Sequence, residues 1–477
     1  MTRTHDLTEG SLAQHFRRLA VPAAIGMVFT TLYNVVDVFF AGLLGTSEQA
    51  GLAISFQAFF IFITFGFGLS SAMTALVGNA IGAKQEDEAR ILAARGMGFG
   101  VIITLVLGVA AWFVGPELIK LVSNEGAYRD AGTRYFLVLL LSLPGFIMAF
   151  AVNGLLQSQG DTVSMQRGQI AAFFANIVLN PLLVFGIPSV WDGLGFDGIA
   201  VSTALSQTGI MVYVIWRVMR TDLMAGVTAA CFRPAADTYN QIVKQMVPVT
   251  MTMAVMMTAG FVVQYYLKSF GTSAVAAYGV ALRVEQLFLL PVFGLTGALL
   301  PIAAQNFGAG HHARVRQALL DCWKFGWMFM AVACPILYFA APLLMRSFTA
   351  DPDVIAIGVS YLRIDGFILP IYMMLFAINS FLQALKRPIW TLWIGVYRQA
   401  FGVAFFSWIY VGLFGFGVIG VWFGIATSVV SGWLISLVVA EFVARKSIGG
   451  LWKLSPCLLY TSPSPRDRSL SRMPSSA

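Results

Sequence analysis

Charge is what this sequence has least of: Asp, Glu, Lys and Arg supply 11% of its 477 residues, against about 25% in an average soluble domain. Such a chain cannot clothe a water-facing globule. Cysteine is also scarce. Cys231, Cys322, Cys334 and Cys457 show neither metal-ligand spacing nor a disulfide framework, and they read as free thiols. No cluster of His, Asp or Glu has metal spacing and no Ser or Cys sits in a nucleophile motif, which argues against a membrane-embedded enzyme. Alternating ten-residue apolar segments are missing too, which excludes an outer-membrane type of barrel.

What is present is long apolar sequence, 58% hydrophobic overall. Twelve windows stand out, near residues 15–44, 50–80, 92–115, 133–156, 165–187, 196–219, 242–270, 276–305, 317–345, 357–384, 391–412 and 418–444. Most reach or exceed the roughly 20 residues a helix needs to cross a bilayer. The expected fold class is an all-α polytopic membrane protein with twelve transmembrane helices. The polar start, MTRTHDLTEGSLAQHF, lacks the pattern of a cleaved signal peptide, so the first span is expected to remain.

The formal net charge of +8 is unevenly placed. Arg3, Arg17 and Arg18 precede the first span, and the even-numbered breaks hold Lys84, Arg90, Arg95, Arg167, Arg217, Arg220, Arg233, Lys244, Arg314, Arg316, Lys386 and Arg387. Odd-numbered breaks hold far fewer. By the positive-inside rule both termini are expected in the cytoplasm. The excess is therefore an orientation signal and no sign of nucleic-acid binding.

The chain also repeats itself at a fixed offset of 226 residues, without a gap. Pro22 falls on Pro248, Gly45-Thr46-Ser47 on Gly271-Thr272-Ser273, Phe67-Gly68-Leu69 on Phe293-Gly294-Leu295, and Gly82-Ala83 on Gly308-Ala309. Arg90, Tyr135, Pro144 and Asn153 meet Arg316, Tyr361, Pro370 and Asn379; Leu156-Gln157 meets Leu382-Gln383, and Gly198-Ile199-Ala200 meets Gly424-Ile425-Ala426. Six spans per repeat give both halves the same orientation, hence a parallel repeat about an axis along the membrane normal. The expected organisation is a cytoplasmic N-terminus (1–14), an N-lobe (15–219), a cytoplasmic linker (220–241), a C-lobe (242–444) and a cytoplasmic tail (445–477). A ligand site is expected between the lobes.

Within TTLYNVVDVFFAG, Asp37 sits in the middle of an apolar span, where a charge costs about 2.5–3.5 kcal/mol. Tyr33 and Asn34 share its helix face at three- and four-residue spacing, and Pro22 upstream permits a kink. In span five, NIVLNP places Asn176 and Asn180 on one face, and Ser202 and Thr203 open span six. A carboxylate, two amides and a hydroxyl suit either a small hard cation or a carboxyl that takes and releases a proton. Alternatively, each amide bonds a neighbouring helix.

These segments, YNVVDVFFAG, the Asn-x-x-x-Asn-Pro helix, GIAVST and the paired GNAIGA and AQNFGA, resemble the multidrug and toxic compound extrusion (MATE) family over about residues 10–445. The resemblance implies a secondary antiporter expelling amphipathic, often cationic organic compounds by alternating access, driven by inward H+ or Na+. It implies no cofactor beyond that ion, no nucleic-acid partner, contact with membrane lipids, and function as a monomer. Carried over by residue, the family's N-lobe cation site falls on Asp37, Asn176, Asn180 and Thr203, the only place where a metal ion, Na+, is implied. Archaeal relatives carry Asp at the position of Asn180, so this chain has one carboxylate there rather than two. The NorM-type branch places acids in helices seven and ten, where this chain reads VTMTMAVMMTAG and LPIYMMLFAINSF. It thus looks closer to the DinF-type branch. The competing function is a flippase for lipid-linked saccharides, although few Arg or Lys fall in the central spans to hold a diphosphate.

Further candidates for a substrate cavity are Met253, Met256, Met257 and Gln264 in span seven, with ordinary packing or lipid contact as the other reading. Arg283 and Glu285 in span eight are further candidates for the substrate cavity or for lobe closure, with a structural pair to a neighbouring helix as the other reading; two residues apart on a helix, they point in different directions and need separate partners. Arg363 and Asp365 are expected to be solvated at the mouth of span ten. From Ser455 onward the Ser-, Pro- and Arg-rich tail has no counterpart in the repeat. It is expected to be disordered, or a segment that is not native.

Overall fold

The computed structural model describes residues 5–452, apart from the side chains of 257 and 258. The expectations for the tail, for Cys457 and for the side chain of Met257 therefore lie outside the described residues. Eleven helices are long and apolar enough to cross a membrane. They are α1 (Leu12–Leu44), α2 (Thr46–Gly82), α3 (Glu86–Val122), α4 (Ala127–Ser158), α5 (Val163–Phe185), α6 (Asp197–Met219), α7 (Ala236–Phe270), α8 (Thr272–Gly308), α9 (His312–Arg346), α10 (Pro352–Ala384) and, last in the chain, α12 (Gly417–Ile448). Between the last two lies α11, residues 389–413, in which α-helical turns alternate with π-helical stretches at Val396–Gly402 and Trp408–Leu413. All twelve expected spans are accounted for.

The helices start and bend where local chemistry dictates. Asp351 caps α10 by accepting from the backbone N–H of Asp353 at 2.9 Å and Val354 at 3.3 Å, with Pro352 at the first helical position, where its missing N–H costs nothing. Pro22 lies inside α1 and Pro248 at the same place in α7, so each lobe opens with a helix that lacks one backbone hydrogen bond. Exposed Leu105, Phe113, Phe339 and Val438 clothe the outer faces, a surface suited to lipid and not to water.

Two buried apolar cores follow the two halves. One gathers Phe59, Phe136, Leu155 and Val214. The other gathers Val284, Leu319, Phe381 and Trp422, and it also takes in Leu7, Leu12, Phe16 and Leu19 from the start of the chain.

The repeat extends to single backbone bonds. At the end of α2, Ala83, Lys84 and Gln85 donate to the carbonyls of Asn79, Ile81 and Ala80 at 2.9, 3.0 and 3.0 Å; at the end of α8, Ala309, Gly310 and His311 donate to Gln305, Phe307 and Asn306 at 2.9, 3.1 and 2.9 Å. The lobes meet at this end. A Cβ on Gly82 would lie 1.9 Å from the Gln305 carbonyl oxygen, and one on Gly308 would lie 2.0 Å from that of Asn79. Glycine is required at both positions because α2 and α8 cross backbone against backbone. The amide of Asn79 donates to the Ala384 carbonyl at 3.0 Å, and Gln305 mirrors it by donating to that of Ser158 at 2.6 Å.

Candidate functional site

Helix α1 brings Asp37 into the N-lobe, where it is 7% exposed. Asn176 and Asn180, one turn apart on α5, both donate amide N–H to its Oδ1, at 3.0 and 2.9 Å. The Thr203 hydroxyl of α6 donates to Oδ2 at 3.3 Å, and Tyr33 donates to the Thr203 oxygen at 3.3 Å. Asn176 also reaches the Ser202 hydroxyl at 3.3 Å. The four residues read as a cation site from the sequence are thus in one place, with Tyr33 bracing them. Asn34, one position on, faces a cavity.

No Lys, Arg or His forms an ion pair with Asp37 among the described residues. The three donors offset part of the cost of burying the ionised form. If the two amides turn their oxygens inward, the same side chains become an oxygen cradle with a single negative charge. That charge matches a monovalent ion: a proton on the carboxylate, or Na+ among the oxygens. These residues fit the implied ion.

Beside this cluster is a cavity of about 180 Å³, walled by Phe56, Phe60, Phe67, Phe146, Phe150 and Tyr135, with Asn34, Gln169 and Gln207 as polar points and Asp37 as its sole charged residue. Sites for drug-sized ligands occupy roughly 300–1,000 Å³, so this one must widen to admit such a molecule. The sequence reading missed the aromatic wall. Its signal was there in Phe56, Phe60 and Phe67, which recur at helical spacing. The residues of span seven do not line this cavity: Met253 is half-buried, and Met256 and Gln264 are exposed on α7.

The C-lobe corrects one expectation. Asp365 is not solvated: it is fully buried, and neither carboxylate oxygen has a hydrogen-bond partner. Its position on α10 is one turn beyond Tyr361, which turns it inward, whereas Arg363 is exposed, its guanidinium 5.3 Å from the Tyr338 ring. Glu285 on α8 is buried as well and accepts from the Tyr361 hydroxyl at 2.6 Å, while Arg283 is exposed, so the two do diverge. Arg398, in the π-helical part of α11, lies 5.2 Å from the Tyr372 ring.

A duplicated, helical, membrane-spanning bundle with a buried acid beside a cavity defines a class, that of membrane transporters. The MatE family model matches residues 22–182 and again 248–409, with the two matches starting 226 residues apart like the repeat. The chain belongs to this family of multidrug efflux transporters, whose members are transporters and not enzymes. It is 26% identical over 424 residues to a probable multidrug resistance protein NorM of Thermotoga maritima, covering 87% of this chain and 89% of the relative. It is likewise 26% identical over 367 residues to an FAD transporter of Shewanella oneidensis, covering 74% and 78%. Among solved structures, a multidrug resistance MATE family transporter of the MOP superfamily in an outward-facing conformation superposes with a TM-score of 0.84 at 21% identity, covering 93% of this chain and 99% of that one.

Proposed function

We propose that this protein is a secondary antiporter of the bacterial inner membrane, with both termini cytoplasmic, that exports amphipathic and often cationic small organic molecules in exchange for inward H+ or Na+. The observation that carries this reading is Asp37: a carboxylate buried without a cation, held by Asn176, Asn180 and Thr203, in the wall of an aromatic cavity. Coupling in the N-lobe would place the chain nearer the DinF-type branch.

The chemistry follows from the charge. With Asp37 ionised, the carboxylate and aromatic faces offer an organic cation both charge and cation–π contact. A proton or Na+ on Asp37 removes that attraction. It also relieves the need to keep donors or water around a bare charge, so α1 can bend at Pro22 toward α5 and α6 and narrow the cavity. Cargo then leaves to the outside.

The buried pair Glu285 and Asp365 favours a second reading, in which acids of the C-lobe carry the coupling ion. A lipid-linked saccharide flippase remains the competing function. The deciding experiment is transport of a fluorescent organic cation in proteoliposomes with H+ and Na+ gradients imposed separately. Transport driven by neither gradient would sink the antiporter, and loss of coupling in Asp365→Asn but not in Asp37→Asn would transfer the role to the C-lobe.

A further inference from the structure

Residues 5–10 precede the first helix, yet they do not project from the protein. Leu7 is 1% exposed and is part of the C-lobe core. Its N–H donates to Gln305 Oε1 at 2.9 Å, and its carbonyl accepts from Asn306 Nδ2 at 3.0 Å. Arg314 closes over the segment, donating to the carbonyls of Gly10 at 3.1 Å, Leu7 at 3.4 Å and Glu9 at 3.5 Å while its Nε holds Asn306 at 3.0 Å. On the other side, His5 N–H donates to the Gln159 carbonyl of the N-lobe at 3.1 Å. Gly160, at φ +77°, leaves room for the chain, since a Cβ there would lie 3.2 Å from that of His5 and 3.3 Å from Leu7. Burial and then the neighbouring Arg18 hold the His5 imidazole below its usual range.

This clamp is not a by-product of the duplication. At the offset of 226, Arg314 corresponds to Glu88 and Asn306 to Ala80, and neither can bind backbone carbonyls as an amide or guanidinium does. Of the clamp residues only Gln305 has an amide counterpart, Asn79, and that amide is spent on the Ala75 and Ala384 carbonyls. The donor set for an extended peptide therefore occurs once, where a segment joined to α1 crosses the seam between the lobes.

We infer that residues 5–10 form a strap that seals the cytoplasmic entrance of the transporter, with Arg314, Asn306 and Gln305 as its gate residues. Opening inward separates the ends of α2 and α8, and Leu7 cannot then stay bound to Gln305 while His5 stays bound to Gln159. Release of the strap is thus a step of the transport cycle. Because the strap is continuous with α1, which carries Asp37, the same helix joins the ion site to the inner gate. The inference rests on the alternating-access reading proposed above.

The test uses the full chain in lipid nanodiscs with spin labels at the exposed positions Glu88 and Ala313, on opposite sides of the seam. Leu7→Asp removes the buried anchor without altering any helix, and Arg314→Gln removes the clamp if the first variant folds poorly. In either variant the longer, inward-open distance should gain population by about tenfold, as the loss of one or two net hydrogen bonds would give. Proteoliposomes should leak ions without cargo to a similar degree. A wild-type distance that responds to H+ or Na+, with unchanged populations in both variants, overturns the strap and leaves the antiporter standing. A wild-type distance that ignores both ions overturns alternating access, and the strap with it.

Discussion

Replacing Asp37 by Asn removes the one group in the N-lobe cluster that can change charge while keeping its shape. Asparagine retains Oδ1 for the amides of Asn176 and Asn180, now at 3.0 and 2.9 Å, and offers an NH2 to which the Thr203 hydroxyl can turn as acceptor. Three charge-assisted hydrogen bonds become neutral ones, a loss of about 1 kcal/mol each. Against this stands the roughly 2.5–3.5 kcal/mol no longer spent on a charge at membrane depth. The two nearly cancel, so folding and insertion should change by no more than about 1 kcal/mol. Coupling should change completely. One ion exchanged per cargo molecule across a tenfold gradient supplies about 1.4 kcal/mol, enough for about a tenfold accumulation of cargo. The variant should bring that ratio to one while its melting temperature and its yield in detergent stay close to wild type. Proteoliposomes with a fluorescent organic cation and either gradient provide the measurement. A variant that still concentrates cargo under a gradient would refute the role of Asp37 and turn attention to Glu285 and Asp365.

Asn180→Ala deletes the donor at 2.9 Å from Asp37 and should shift the ion concentration for half-maximal transport by about tenfold, the effect of one charge-assisted bond; equal loss of expression and transport would instead assign Asn180 to helix packing. Asp365→Asn should leave the protein as stable as wild type or more so, because the native carboxylate is buried with neither oxygen bonded; a lower melting temperature would reveal a partner for the acid. Gly308→Ala places a methyl where the Asn79 oxygen lies 2.0 Å away, and the overpacking should cost about 1–3 kcal/mol and raise labelling of a cysteine at the inner seam; unchanged labelling would contradict the tight crossing. Labels across α1 and α5 should report a distance that follows pH or Na+ in wild type and is fixed in Asp37→Asn, whereas one that ignores both ions would eliminate the bending of α1.

The sequence alone determined the topology, because a bilayer imposes its thickness and its dislike of bare polar groups on every span independently. Apolar length located twelve helices, and the 226-residue register established the two lobes before any contact was known. Asp37 with Asn176 and Asn180 was legible for the same reason: a charge in a lipid-length helix, and two amides one turn apart, are anomalies visible within single helices. Only the tertiary structure could decide what depends on azimuth and on distant segments. In the sequence Asp365 reads as a solvated neighbour of Arg363, but both lie well inside α10 (Pro352–Ala384), and two residues along a helix turn the side chain about 200°, so Arg363 is exposed while Asp365 is buried. The aromatic cavity needed α2, α4 and α5 to be brought face to face. Residues 5–10 are apolar only at Leu7 and have no periodicity. Their place in the seam follows from hydrogen bonds to side chains almost 300 residues away, a pairing that no local pattern in the chain encodes.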